Sequence, residues 1–516
     1  MNQFKKTKDK IDWPVFIISG GTLLVFIIGG IINQEFVNNI VNWLFNFSAT
    51  YFGGMYQVIL LITFIIALIL GFSKYGKIRL GKADKPELST FRWISVIMCT
   101  LLAGGGIFWA AAEPISHFLE VPPHYEGVEA GTLEAVVPAL ATSFVDWGFL
   151  AWTILGTLGT IVFMYAHYHR GAPLKPRSLL YPILGNKFSE KSVVGTLIDA
   201  FSIIAVAAGT IGPIGFLGLQ AGYGFNTLFG TPDTFPVQAL IITIVVIIAA
   251  ISAATGVYKG IQLLSTYNVI LSIGLVVLVL IIGPAMFIFD NFIESFGVYV
   301  KDFITTSTFR GDEGWLGAWT VFFFAWFLGY APMMGIMVAR VSRGRTVREL
   351  VMAVAIIAPI VTAFWFTILG GTGIFQELMN PGVISDEIAT GGVQAAMIAT
   401  TEQLPMSTIL GLLFMIATLV FVLTTVDSMA LSISMAITGQ GDPSVAMRVF
   451  WAVVMGAVAI ILLNIGEDSI DSLQSFIVVT ALPVAFLMIT TFWTAPKVCR
   501  TLAEEQNIIP KSKTNK

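Results

Sequence analysis

The chain has little charge. Asp, Glu, Lys and Arg make up 11% of its 516 residues, against roughly 25% in soluble domains, which excludes a water-exposed surface over most of its length. Cysteine is scarce as well. Cys99 lies in an apolar stretch and Cys499 near a charged end, a pair that excludes a disulfide framework. The four histidines, His117, His124, His167 and His169, fall at segment ends or in connections. There is no HExxH zinc helix, no GxxxxGK[ST] phosphate loop, and no nucleophile–base pair within the apolar stretches. Enzymatic chemistry and self-contained ATP hydrolysis are therefore both excluded.

Apolar sequence is what the chain has in abundance: 56% hydrophobic residues and a mean hydropathy of +0.85. A helix crossing a hydrocarbon core of about 30 Å needs roughly 20 apolar residues. Twelve stretches qualify, starting near Trp13, Tyr51, Trp93, Val136, Leu197, Phe235, Leu264, Trp319, Val351, Ser407, Val449 and Leu473. The predicted fold class is an all-α polytopic membrane protein, with residues 13–495 as the membrane domain, 1–12 as an N-terminal tail and 496–516 as a C-terminal tail. The first stretch is too long for a signal-peptide core and reads as a retained helix.

The 28 Lys and Arg residues are distributed unevenly. Numbering connections from the N-terminus, 26 fall in the even-numbered connections and the two tails, and only Lys301 and Arg310 fall on the other side. Cytoplasmic segments carry the excess of Lys and Arg, so both termini are expected in the cytoplasm of a cell-membrane protein. The long connections are 114–134, with Pro122, Pro123 and four Glu, and 290–317, whose alternating Phe292, Ile293, Phe296, Val298, Phe303 and Ile304 suit an amphipathic helix on the outer face.

The third span is interrupted by Gly104, Gly105 and Gly106 and then by Glu113-Pro114; the eighth carries Gly329, Pro332 and Gly335. Paired interrupted helices point to the binding site of a secondary transporter, driven by an ion gradient. Aromatic residues gather in two of the spans. Trp147 and Trp152 in the fourth, and Trp326, Phe327 and Tyr330 in the eighth, lie well inside their segments rather than at the interfaces. A quaternary ammonium has no N–H to donate and is recognised through ring faces, each contributing about 0.5–2 kcal/mol.

The run Ala339-Arg340-Val341-Ser342-Arg343-Gly344-Arg345-Thr346-Val347-Arg348-Glu349, after the aromatic span opening at Trp319-Thr320-Val321, resembles the eighth helix of the betaine/choline/carnitine transporter family. The resemblance extends over most of the chain through Glu113-Pro114, Lys259-Gly260-Ile261 with Leu264-Ser265, and Thr424-Thr425-Val426-Asp427-Ser428. It implies twelve helices, with helices 3–7 and 8–12 as two inverted five-helix repeats, an amphipathic helix between helices 7 and 8, and a homotrimer. The implied substrate box falls on Trp147, Trp152, Phe327 and Tyr330, with a third ring position of the fourth span occupied by Leu155. Many relatives carry Trp at the positions of Phe327 and Tyr330, so the cage is reshaped.

Relatives often have His where this chain has Asp146. A carboxylate there would favour a net cation, but on a continuous helix of about 100° per residue it points away from the midpoint of Trp147 and Trp152. Asp146 therefore reads either as a substrate contact or as part of helix packing, a polar network or an ion relay. The resemblance also implies a sodium site from Thr424, Thr425 and Phe421 with backbone carbonyls near Cys99 and Leu102. A second family site on the fifth span meets Pro213 where a hydroxyl is common. The expectation is a Na+-coupled importer of a glycine betaine, choline or carnitine type of solute, with no organic cofactor and no nucleic-acid partner. A sodium-independent exchanger, and transport of another methylated onium or zwitterion, stand as alternatives.

Overall fold

A computed structural model describes residues 11–102, 105–185, 192–255, 258–439, 443–465 and 469–511. Among these residues the only β contact is a bridge between Arg79 and Thr346. Eleven helical stretches are long and apolar enough to span a membrane. The remaining expected span, the third, is present as two shorter helices, Thr90–Leu102 and Phe108–Leu119. With the third span counted as these two helices, the helical segments among the described residues correspond to the twelve apolar runs.

The first helix, Trp13–Ile32, and the second, Gln34–Phe72, are joined by Asn33, whose side-chain oxygen accepts from the Phe36 N–H at 2.9 Å. The second helix thus begins well before Tyr51, where the apolar run starts. Its polar first turns follow the helix because the Asn33 cap satisfies donors that would otherwise need water.

Burial sorts the segments into an interior and a jacket. Helix Val193–Phe229, the segment from Val136 to Met164 and helix Thr320–Val341 are buried along almost their whole length. Helices Trp13–Ile32, Phe235–Thr255 and Tyr258–Ile282 instead turn Ile17, Val25 and Ile31, Leu240, Ile244 and Ile251, and Ile270, Ile273 and Ile281 outward. Apolar rows of this kind, on helices that also touch the core, are what lipid tails solvate.

The interior segments depart from the expected pattern of breaks. Helix Thr320–Val341 runs without interruption through Gly329, Pro332 and Gly335. The fourth segment, which has no proline in its middle, is broken twice: Val136–Trp147, Phe149–Gly156 and Leu158–Met164 are separated at Gly148 (φ −95°, ψ −133°) and Thr157 (φ −112°, ψ −89°). The expected pairing of breaks in spans three and eight is corrected accordingly. Span eight is bent away only at its start, where Trp319 (φ −121°, ψ −95°) separates it from the short helix Glu313–Ala318.

The expected amphipathic helix is Ala285–Lys301, followed by Phe303–Ser307. It buries Ile288, Ser295 and Tyr299 while leaving Met286, Phe289, Ile293 and Val300 exposed. Tyr299 explains the break at Gly148. Its hydroxyl accepts the Phe149 N–H at 2.9 Å, supplying the bond that the interrupted helix no longer makes. A Cβ at position 148 would lie 2.5 Å from that hydroxyl and collide with the Phe144 carbonyl, so only glycine fits.

The connections rich in Lys and Arg meet at one end of the bundle. Arg177 bridges Asp199 at 2.5 Å and Asp12 at 2.8 Å, Arg343 pairs with Glu87 at 3.0 Å, and Arg170 pairs with Glu505. Arg345 stacks over Trp93 at 4.5 Å and pairs with Glu349 at 3.1 Å. The Thr491–Glu505 helix closes this end, with Cys499 and Leu502 buried and Gln506 exchanging hydrogen bonds with the Arg79 backbone. Residues 496–505, expected as the start of a tail, are therefore helical and packed.

Candidate functional site

The broken fourth segment, the glycine-rich turn of the third and the intact eighth helix converge in the buried centre. Trp147 packs edge-on against Trp326 (centroids 6.0 Å apart, planes at 80°) and Phe327 (5.3 Å, 78°), while Trp326 and Phe327 are parallel to within 1°. Phe323 and Phe366 complete the ring around Trp147 at 5.3 and 5.2 Å. Edge-to-face packing presents positive ring edges to negative faces, and the same faces suit an onium group when the rings part.

Each polar ring edge is anchored. The Trp147 indole donates to Glu113 at 2.7 Å, Trp326 donates to the Gly209 carbonyl at 3.1 Å, and Trp152 donates to Thr362 at 3.0 Å. The Tyr330 hydroxyl bonds Thr210 at 2.9 Å. These bonds fix ring orientation without consuming the π faces. Trp147, Trp326 and Phe327 thus form one cluster. Trp152 sits five residues beyond Trp147, across the Gly148 break, and faces helix Ala358–Met379; Tyr330 faces helix Val193–Phe229.

The glycine-rich turn must be glycine to admit this cluster. A Cβ on Gly105 would stand 2.8 Å from Trp326 and 3.3 Å from Trp147. Gly106 gives its carbonyl to the Trp365 indole at 3.0 Å. Gly104 lies outside the described residues, and of Cys99 and Leu102, in the last turn of helix Thr90–Leu102, only the backbone is described. Beside Gly105 is a cavity of about 20 Å³ lined by Phe108, Pro213, Phe216, Gln220, Thr418 and Phe421 among others, room for about one water-sized occupant. Phe421 therefore reaches the glycine-rich turn.

The hydroxyl pair behaves unequally. Thr424 donates back to the Val420 and Phe421 carbonyls at 2.9 and 3.0 Å, the ordinary fate of threonine in a membrane helix. Thr425, one residue on, is buried, and its hydroxyl has no partner among the described residues.

The angle expected for Asp146 on a continuous helix does not carry over to this structure. The break at Gly148 removes any fixed angle between Asp146 and Trp152. Asp146 points instead toward Glu113 and His117, and one donor atom from each of the three lies within 4.8 Å of the others. In the sequence Glu113 only marks the interruption of the third span, and His117 falls at a segment end. Both are fully interior, with the His117 ring 4.5 Å from that of Trp319 and tilted to it at 56°. The signal was their i, i+4 spacing, which puts both side chains on one helix face.

The comparisons with known proteins bear on this geometry. Residues 14–504 match the family described as BCCT, the betaine/carnitine/choline family transporters. This chain belongs to that family. It is 48% identical over 496 residues to glycine betaine transporter 2 of Vibrio parahaemolyticus, covering 96% of this chain and 92% of the relative. It is 36% identical over 499 residues to the ectoine/glycine betaine/proline transporter EctP of Corynebacterium glutamicum, covering 93% and 79%. With the glycine betaine transporter OpuD of Bacillus subtilis it shares 31% over 511 residues, covering 97% and 95%. The chain is a multi-pass membrane transporter of the betaine/carnitine/choline family and not an enzyme.

Proposed function

We propose that this transporter imports a quaternary ammonium solute of the glycine betaine type, coupled to Na+ and operating by alternating access in a homotrimer with both termini cytoplasmic. The observation that carries the reading is the meeting of Trp147, Trp326 and Phe327 beside Gly105, where broken and intact helices face each other. Three faces at about 0.5–2 kcal/mol each suffice for recognition without a hydrogen bond to the methylated head. The names of the three relatives point the same way. Opening need only separate rings that now pack on one another, and the solute draws the equilibrium by its preference for the parted state. Trp152 and Tyr330 extend the box toward the two flanking helices.

For the ion, Thr425 offers the free hydroxyl, Phe421 touches the cavity beside the glycine-rich turn, and Thr424 becomes a ligand by giving up its bond to Val420. Carbonyls near Cys99 and Leu102 complete this set. The name of the Corynebacterium relative favours ectoine or proline as second substrates, since their carboxylate would accept the Trp152 indole N–H now given to Thr362 and their ring N–H would donate to the Tyr330 hydroxyl now bonded to Thr210.

The test is uptake of radiolabelled glycine betaine, choline and ectoine into proteoliposomes, with an inward Na+ gradient or with K+ in its place. Saturable Na+-dependent betaine uptake, reduced at least tenfold by Trp147→Leu and made Na+-insensitive by the Thr424→Ala/Thr425→Ala pair, is the expected result. Uptake indifferent to Na+ in the wild type would turn the reading to exchange.

A further inference from the structure

At the edge of the aromatic box two acids and an imidazole share a small buried space. Glu113 and His117 occupy successive turns of helix Phe108–Leu119, with Oε1 and Nε2 3.7 Å apart. Asp146 comes from the last turn of helix Val136–Trp147. All three are at most 1% exposed, and one polar atom from each lies within 4.8 Å of the others. Glu113 Oε1, His117 Nε2 and both Asp146 oxygens make no hydrogen bond among the described residues. The Thr320 hydroxyl lies beside Asp146 outside hydrogen-bonding geometry, and that of Ser143, beside Glu113, is committed to the Ala139 carbonyl at 3.1 Å.

Charged and titratable groups on the surrounding elements are engaged elsewhere. Glu377, on helix Ala358–Met379, accepts the Gly382, Ile384 and Ser385 N–H groups. On the side of helix Ala285–Lys301, Asp290 and Glu294 are exposed, Lys301 stands 3.9 Å from Asp302, and the Tyr299 hydroxyl holds the Phe149 N–H. Arg310 pairs with Glu313 at 3.9 Å beside the short helix that carries Trp315. Asp199 is bonded to Arg177 and Tyr330 to Thr210, while Glu402 is exposed. Burial, partly offset by Asp302, pushes His124 in the neighbouring connection down to about 4, so it carries no charge at neutral pH.

Two carboxylates in so small a dry space do not both stay ionised without a compensating charge. A charged His117 would balance only one of them, so at least one carboxyl carries a proton. The Trp147 indole donates to Glu113 Oε2 at 2.7 Å, which leaves Glu113 Oε1 and the two Asp146 oxygens as the places for it. We propose that Glu113 and Asp146 form a proton site that holds the empty aromatic box closed. With the rings packed, the acids are dry and need the proton. When Trp147 parts from Trp326 and Phe327, its indole draws Glu113 with it and water reaches the pair; the ionised forms are then solvated, and the proton passes to that water. The coupling to solute rests on the box being the solute site. On that reading proton and solute oppose each other by equal factors in both directions: solute binding releases up to about one proton per protomer, and acid weakens solute binding.

Infrared difference spectroscopy of the purified full chain in lipid nanodiscs, at neutral pH and without solute, tests the site itself. Wild type minus Glu113→Gln/Asp146→Asn is expected to show a carboxylic-acid C=O band that shifts in D2O. The single variants, Asp146→Asn and Glu113→Gln, are measured alongside, and monodisperse elution of each excludes misfolding. Carboxylate bands alone in every difference spectrum would overturn the proposal, as would stoichiometric zinc in the wild type that the acid variants lack. The link to the box is read from glycine betaine binding at saturating Na+, followed by tryptophan fluorescence. Between about pH 5 and about pH 8 the quaternary head has no proton to lose and the α-carboxyl, ordinarily titrating near 3.5, stays ionised. Wild-type affinity is expected to rise with pH, by at most about tenfold per unit, and the double variant, whose amides keep the shape and the acceptor for Trp147, to show a flat profile. The same pH dependence in wild type and double variant, or none in the wild type, would overturn the proposal. Absence of betaine binding at every pH would instead sink the solute reading, with the infrared band alone deciding the proton site.

Discussion

The fourth segment and the eighth helix carry most of the aromatic box, and they answer opposite local signals. Helix Thr320–Val341 contains Gly329, Pro332 and Gly335 and does not break. The segment Val136–Met164 has a single proline near its start and breaks twice. Proline removes one donor and strains one turn, but in a bundle buried on all sides neighbouring helices hold the turn in place. At Gly148 the reverse holds. A tyrosine hydroxyl from another helix stands where the helix's own bond would form, and a glycine admits it. The lesson is that helix continuity in this interior is decided by what packs alongside rather than by the residues of the helix itself.

The sharpest way to break that comparison is Gly148→Ala. Its methyl would collide with the Phe144 carbonyl and the Tyr299 hydroxyl, both held in place, so the junction must rearrange. A loss of about 2–4 kcal/mol, seen as a lower thermal midpoint, and near-complete loss of uptake are expected; normal uptake would show that the break has no role in the cycle.

Tyr299→Phe removes only the oxygen and leaves the Phe149 N–H buried without its acceptor. The expected cost is about 1–3 kcal/mol, with uptake reduced several-fold and the protein still folded. If the thermal midpoint did not move, the break would not depend on the amphipathic helix. Pro332→Ala should have the smallest effect, since the helix already runs through that position. A midpoint within about 1 kcal/mol of wild type and retained uptake are expected, whereas lost uptake would make Pro332 a hinge after all.

Much of the architecture was legible beforehand. The twelve apolar runs and the sorting of Lys and Arg follow from solvation, which acts on each stretch of chain separately. Among the box residues, Trp147, Trp326 and Phe327 were recognisable because they lie deep in their spans, and the structure brings them into contact. The Glu113–His117–Asp146 group was only half visible. Glu113 and His117 share a helix face by their spacing, but Asp146 joins them across 29 residues and a connecting loop. Asp146 stands out in the sequence by its chemistry, but nothing in its local sequence identifies its neighbours.

The sequence by itself determined how often the chain crosses the membrane, which connections gather at the basic end, and that methyl-rich cations could find ring faces inside. Each of these depends on residue type and local order. Only the tertiary structure decided where helices break, which way each ring is anchored, and which buried acids meet. Those outcomes depend on side chains from segments far apart in the chain, such as Tyr299 beneath Gly148 and Glu113 against Trp147, whose distances are set only when the bundle packs.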